Sequence, residues 1–359
     1  MHLPEPRRRP PIVGRYTREE LALATRNRGL PLEALRYDVT PAGLHYLLIH
    51  FDIPPADPQR WRLEIGGLVE RPQSLSLAEI ARQPSRTLRV TMECAGNGRG
   101  RISPRYPSMP WLEEGVSTAE WRGVPLAVLL RAAGLRSDAR DIAFHGADRG
   151  IDGGIEHVFA RSLAPSEALR EEVLVAYEMN GQPLPPQHGA PLRLVVPGWY
   201  GMASVKWLRA IEALGQPFDG VQQALSYHFR GAREERGIPC TRMRVKSLMA
   251  PPGIPDFYTR TRIVQAGSVA LQGRAWSGDA PVRQVEVAID GAWRPAQLCA
   301  AAGPYAWRGW QATWEAAPGE HELACRATDQ AGNVQPLEPA WDATGFGNHA
   351  VQRVRVSVR

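Results

Sequence analysis

One short stretch limits what this chain can become more than its size does: residues 87–101, which read TLRVTMECAGNGRGR. Leu88, Val90, Met92 and Cys94 take alternate positions, the period of a strand with one buried face. Glycines follow at 96, 98 and 100, with Asn97 among them. Glycine permits positive φ and lets another group come close to the backbone. The stretch therefore predicts a thiol at the end of a rigid strand, at the lip of a loop suited to close approach. A cysteine in that place can also be a small buried hydrophobe. A phosphate-cradling loop is disfavoured, since no G-x-x-x-x-G-K-[ST] pattern is present.

The 359 residues suffice for two domains and a sizeable core. With 43% hydrophobic and 22% charged residues, the chain is not of the disordered kind. Its net charge of +6 comes from a mild excess, 43 basic against 37 acidic residues, part of it in Arg7, Arg8 and Arg9. No nucleic-acid signature accompanies it, so a small anion is the more economical partner. The four cysteines (94, 240, 299 and 325) show no zinc spacing, no C-x-x-C and no C-x-x-C-H. No haem attachment is therefore expected in this chain, and a reducing compartment fits. No apolar run is long enough for a membrane span. Arg7–Arg9 lead into Pro-Pro-Ile-Val-Gly rather than an apolar segment, which does not support a twin-arginine signal. A cytoplasmic protein is expected, or a periplasmic one if a signal was removed.

Along the chain, residues 1–40 read as a Pro- and Arg-rich arm wrapping a folded body. Residues 44–53 (LHYLLIHFDI) predict a buried strand, stopped by Pro54-Pro55. Residues 61–65 predict another. Ser76 and Glu79 have capping-box spacing before a short helix. Residues 125–133 predict a helix with Pro at its start and Gly134 past its end. Strands are expected at 173–177 and 191–196, and Asn180-Gly181 signals a tight turn. Strands mixed irregularly with short helices argue for an α+β fold. The Pro-rich segment 246–256 reads as a linker. Beyond it, strands are expected at 268–276, 282–289, 311–314, 321–327 and 351–358, with turns at Asp290-Gly291 and Ala331-Gly332-Asn333. That spacing predicts an all-β sandwich of immunoglobulin-like size. The domains expected are thus 1–245 and 246–359.

Several ordered motifs carry a resemblance. CAGN followed by Arg99, SMPW ending at Trp111, STAEWRGVPL, AYEMNG (176–181), HGAPLRLVVPGWYGMASVKW (188–207), AWSG and VEVAIDG together resemble the sulfite oxidase family of mononuclear molybdenum enzymes, from about residue 31 to the C-terminus. The resemblance implies a molybdopterin-binding domain followed by an immunoglobulin-like dimerisation domain, hence a homodimer. It implies a molybdenum–molybdopterin cofactor with Cys94 as the one protein ligand to the metal. A thiolate is soft and strongly donating, as a metal cycling by two electrons requires. It further implies a cofactor pocket lined by His50, Asp148, His188, Arg193 and the turn Ser204-Val205-Lys206, with Arg193 and Lys206 suited to a phosphate. Read alone, Arg193 fits a strand's solvent face, His188 a turn, and His50 a satisfied core histidine.

On the substrate side the resemblance gives Arg99 as the anion-attracting residue, Trp111 as a pocket wall and Tyr227 as the tyrosine near the metal. Three family arginines are replaced here, by Leu48, Ala203 and Thr344. Each lost guanidinium removes a charge-assisted contact of roughly 1.5–3 kcal/mol. Arg101 and Arg105 are candidates to compensate. The expected activity is oxygen-atom transfer, foremost oxidation of sulfite or a related small sulfur compound, with electrons passed to an external acceptor such as a cytochrome. Reduction of an S-oxide or N-oxide is the alternative reaction. A binding protein that kept the fold without the cofactor is the alternative class.

Overall fold

The computed structural model describes residues 16–232 and 234–359; Arg7–Arg9 and the rest of the first fifteen residues lie outside them. Strands are abundant and helices few and short, as an α+β fold requires. Two five-stranded sheets and a two-stranded ribbon, His228–Phe229 with Ile238–Pro239, form the first part. In one, Arg62–Gly67 runs parallel to Leu208–Leu214, flanked by Gln73–Ser76, Asp141–Asp152 and Ile155–Leu163. In the other, Arg86–Glu93 pairs with Val116–Pro125, which pairs with Leu174–Met179; that strand also pairs with Arg193–Val195. The helix Leu126–Ala133 helps close the core, with Leu126, Leu129, Leu130 and Ala133 buried beside Leu63, Ile142, Phe144 and Ile211. It ends as its sequence predicts, at Gly134 in the left-handed region (φ 72°). Ser76 accepts from the Glu79 amide and Glu79 returns the bond, so the expected capping box opens Leu77–Ala81. Asn180 and Gly181 both take positive φ (53° and 73°) in the predicted turn.

The C-terminal part is a sandwich. One sheet orders Lys246–Ala250, Gly267–Trp276, Arg308–Ala316 and Gln297–Leu298. The other is built on Val282–Ile289, Gly319–Asp329 and Gln352–Val358. Their inner faces meet through Leu271, Trp310 and Trp314 on one side and Val285, Val287, Leu323 and Val356 on the other.

Two expectations need correction. Residues 44–53 do not form a strand: a 3-10 turn covers Ala42–Leu44, and beyond it only Leu47 bridges Arg28. The backbone finds side-chain partners instead of a ladder, Tyr46 N–H on Ser117 and Ile49 N–H on Asn27. The run is apolar because Ile49 enters the core while Leu47 and Leu48 wall a pocket. Nor is 246–256 a linker. Lys246–Ala250 pairs with Gly267–Trp276, and the prolines shape the turn into Ile254–Pro255. The arm reading is supported over 30–38: Leu35 is buried, its carbonyl accepts from Arg274, and Glu33 pairs with Arg262, both arginines in the sandwich.

Candidate active site

Cys94 follows directly on Arg86–Glu93, and its backbone is fixed by a 2.8 Å bond from its amide to the Gly115 carbonyl. The glycines after it serve the loop's own packing. A Cβ at Gly96 would stand 2.8 Å from Cζ of Arg99, and Gly98 is left-handed (φ 86°) where the chain meets Asn348. The C-terminal segment clamps this loop: Asn348 donates to the Gly98 carbonyl, and the Gly347 amide to Ala95. Beside the cysteine, Glu93 accepts from Lys246 (3.3 Å), Asn97 (2.9 Å) and Trp276 (2.9 Å). One carboxylate thus ties the cysteine strand to the sandwich.

The thiol faces a pocket that also gathers His50, Asp148, His188, Arg193, Ser204, Lys206 and Tyr227. Of the expected cofactor residues only Val205 turns away; its side chain is fully buried in the core. The pocket continues outward into a cavity of about 480 Å³ walled by Arg99, Trp111, Tyr227, Leu48 and Thr344. Two of the three replaced arginine positions therefore face it, while Ala203 lines a separate cavity behind Tyr227. Arg101 and Arg105 do not compensate: Arg101 pairs with Glu113, and Arg105 pairs with Glu20 and stacks on Tyr16.

The electrostatics are lopsided. Arg193 donates to the carbonyls of His188 (3.0 Å) and Ser204 (3.1 Å) and lies over Trp121. Lys206 donates to the Leu48 carbonyl at 2.7 Å. Arg99 keeps an unpartnered Nε and lies 4.9 Å from the centre of the Phe346 ring. Burial lowers all three, Lys206 to about 7 and Arg193 to about 10. Asp148 is the sole carboxylate lining the inner pocket among the described residues; burial raises it to about 6, and its Oδ1 has no partner. His188 Nε2 is likewise unpartnered. Burial pushes His50 down to about 3, so it is neutral, and its Nε2 lies 2.8 Å from the Tyr227 hydroxyl. Tyr227 is pushed up, chiefly by burial, and therefore keeps its proton; the His50 tautomer sets which of the two groups donates in their hydrogen bond. Burial also raises the Cys94 thiol, against the pull of Arg99, the Gly96 amide and Trp111.

Sequence reasoning missed Arg161 and His45. Arg161 is buried with Nε and one terminal nitrogen unpartnered, and its guanidinium lies 4.2 Å from the centre of the Tyr227 ring. Its signal was present: Phe159, Arg161 and Leu163 share one face of a strand, so a guanidinium occupies an inward position. His45, whose ring centre is 5.1 Å from that of His188, fell inside the segment misread as a strand.

Cations that outnumber the one carboxylate, beside unpartnered atoms of Asp148 and His188 and a thiol, suit an anionic ligand that also carries hydrogen-bonding groups. The arrangement defines a pocket for a buried anionic ligand held beside a thiol. Comparison with known proteins specifies it. The family "Oxidoreductase molybdopterin binding domain" matches residues 50–222, and "Mo-co oxidoreductase dimerisation domain" matches 239–359. Sulfite oxidase of Gallus gallus is 32% identical, over 88% of this chain and 72% of its own. Mitochondrial sulfite oxidase of Mus musculus is 33% identical over 89% of this chain, which spans 62% of that protein's length. Nitrate reductase [NADH] 1 of Arabidopsis thaliana is 30% identical, over 92% of this chain and 40% of its own. In structure, sulfane dehydrogenase SoxCD of Paracoccus pantotrophus superposes with a TM-score of 0.79 at 26% identity, covering 92% of this chain and 85% of its own. The chain belongs to the sulfite oxidase family of molybdopterin oxidoreductases.

Proposed function

We propose that this protein binds molybdenum–molybdopterin and transfers an oxygen atom to a small sulfur compound of the sulfite type, passing electrons to an external acceptor such as a cytochrome. The observation that carries the reading is that Arg193 and Lys206 line the pocket with Cys94, and buried Arg99 the cavity beyond it, while Asp148 is the inner pocket's one carboxylate among the described residues. A cation left unpaired in a low-dielectric interior is costly, and an anionic cofactor and substrate would relieve it. When bound, the cofactor supplies the two-electron redox change. Cys94 would hold the metal. Arg193 and Lys206 would meet the phosphate; Asp148 and His188 would bond the pterin rings. Arg99 would draw the substrate anion inward, Trp111 would wall its site, and Tyr227, steadied by His50, would present a fixed hydroxyl. The C-terminal sandwich would make the molecule a homodimer, and the division into catalytic and dimerisation parts near residue 245 follows the same reading.

A second reading, reduction of a neutral S-oxide or N-oxide, is favoured by one observation: uncharged Leu48 and Thr344 face the pocket. Metal analysis and two assays decide. About one molybdenum per chain with dye-coupled sulfite oxidation supports the proposal. Sulfoxide reduction without sulfite oxidation transfers support to the second reading. Protein without molybdenum after expression in a cofactor-competent host leaves a binding protein instead.

A further inference from the structure

The outer cavity is large and greasy for a site meant for a four-atom oxyanion. Its volume of about 480 Å³ falls in the range of pockets that hold organic ligands. Met109, Trp111 and Phe346 form inner walls. At the mouth stand Ile151, Ile155 and Leu225, which are 71%, 45% and 58% exposed. Large apolar side chains gathered in the open around a pocket mark a surface that meets apolar matter. Charge is scarce by contrast. Arg99 is the one buried cation lining this cavity among the described residues. Arg230 at the rim donates to the Leu225 and Arg236 carbonyls, and Asp152 accepts from Gln222. The walls at 48 and 344 are a leucine and a threonine whose hydroxyl donates to the Asp342 carboxylate.

Sulfite offers three oxygens and up to two negative charges, which one guanidinium matches poorly. Replacing one of those oxygens by carbon gives a sulfinate, R–SO₂⁻. It keeps the sulfur lone pair, carries a single charge for a single arginine, and sends an R group out along the apolar wall. We infer that the preferred substrate is an organic sulfinate with an apolar substituent, oxidised to the sulfonate; this rests on the oxygen-transfer reading above. The reaction balances as R–SO₂⁻ + H₂O → R–SO₃⁻ + 2 H⁺ + 2 e⁻. A new S–O bond forms with oxygen that comes ultimately from water. The electron pair leaves the sulfur, and a one-electron acceptor takes it in two steps.

The test uses molybdenum-loaded enzyme with ferricyanide as acceptor, comparing benzenesulfinate with sulfite. The expected kcat/KM favours benzenesulfinate by about tenfold or more, the scale of discrimination an apolar pocket provides. Leu225→Asn and Ile151→Asn should raise KM for benzenesulfinate about tenfold while leaving KM for sulfite within about twofold. Leu48→Arg should move the preference about tenfold toward sulfite by adding a charge-assisted contact. Binding gives a readout independent of turnover: by calorimetry, benzenesulfonate should bind at least about tenfold more tightly than sulfate. A preference for sulfite, equal effects of the rim substitutions on both substrates, or equal binding of the two product anions overturns the inference. Enzyme that oxidises sulfite but not benzenesulfinate overturns it while leaving oxygen transfer intact; molybdenum-loaded enzyme that oxidises neither overturns both.

Discussion

Two lysines stand among the 43 basic side chains, Lys246 buried and Lys206 half-buried, and they are held in opposite ways. Lys246, at the seam between the sandwich and the cysteine strand, meets the Glu93 carboxylate at 3.3 Å and the Asn348 carbonyl at 3.0 Å. Lys206, in the pocket, has carbonyl oxygens only, Leu48 at 2.7 Å and Gln187 at 3.4 Å. A buried ammonium with its own carboxylate is electrically complete and serves architecture. One held by carbonyls alone has no counter-charge of its own, and burial lowers its hold on the proton. Arg99, Arg161 and Arg193 share the second condition, so the seam and the pocket differ in what each leaves unneutralised.

The comparison breaks most visibly at the seam. Glu93→Gln leaves Lys246 buried without its counter-charge and should lower stability by about 3–5 kcal/mol in urea unfolding. In the pocket the sign reverses. Lys206→Met should leave cofactor-free protein as stable at pH 7 or more stable by ~1 kcal/mol, because a charge without a carboxylate is removed. Molybdenum content measured on the same variant should fall. A loss of stability as large as that of Glu93→Gln would erase the distinction.

A pH series sharpens it. Lys206 is lowered by burial from 10.5 to about 7 in the folded chain. Between those values the unfolded chain holds the proton and the folded chain does not, so this group makes stability rise with pH across that window. Unfolding of cofactor-free protein at pH 7 and pH 9 should show that rise, and Lys206→Met should flatten it. The smallest effect belongs to Arg101→Ala. Its ion pair with Glu113 lies on a half-exposed side chain outside the pocket, so stability should change by less than about 1 kcal/mol and KM for sulfite by less than about twofold.

Much of this was legible before the fold. The period of two ending at Cys94 placed the thiol, and Asn180-Gly181, Gly134 and the Ser76 capping box fixed local ends through dihedral and hydrogen-bond chemistry that neighbours in sequence supply. The apolar run 44–53 misled because a pocket wall and a strand face demand the same residue types, and only tertiary partners such as Asn27 and Ser117 separate them. Prolines at 251, 252 and 255 imitated a linker because turns within a sheet also need them. Arg161 escaped notice although its register was inward. Its partners, the Tyr227 ring and the Gln222 carbonyl, arrive from about sixty residues away.

Molybdenum K-edge X-ray absorption on loaded wild-type protein and on Cys94→Ser tests the central claim most directly. If the sulfur of Cys94 meets the metal among the pocket's unneutralised cations, the variant's spectrum should show one fewer sulfur scatterer around molybdenum, or no bound metal at all. Identical sulfur coordination in the two proteins would contradict it.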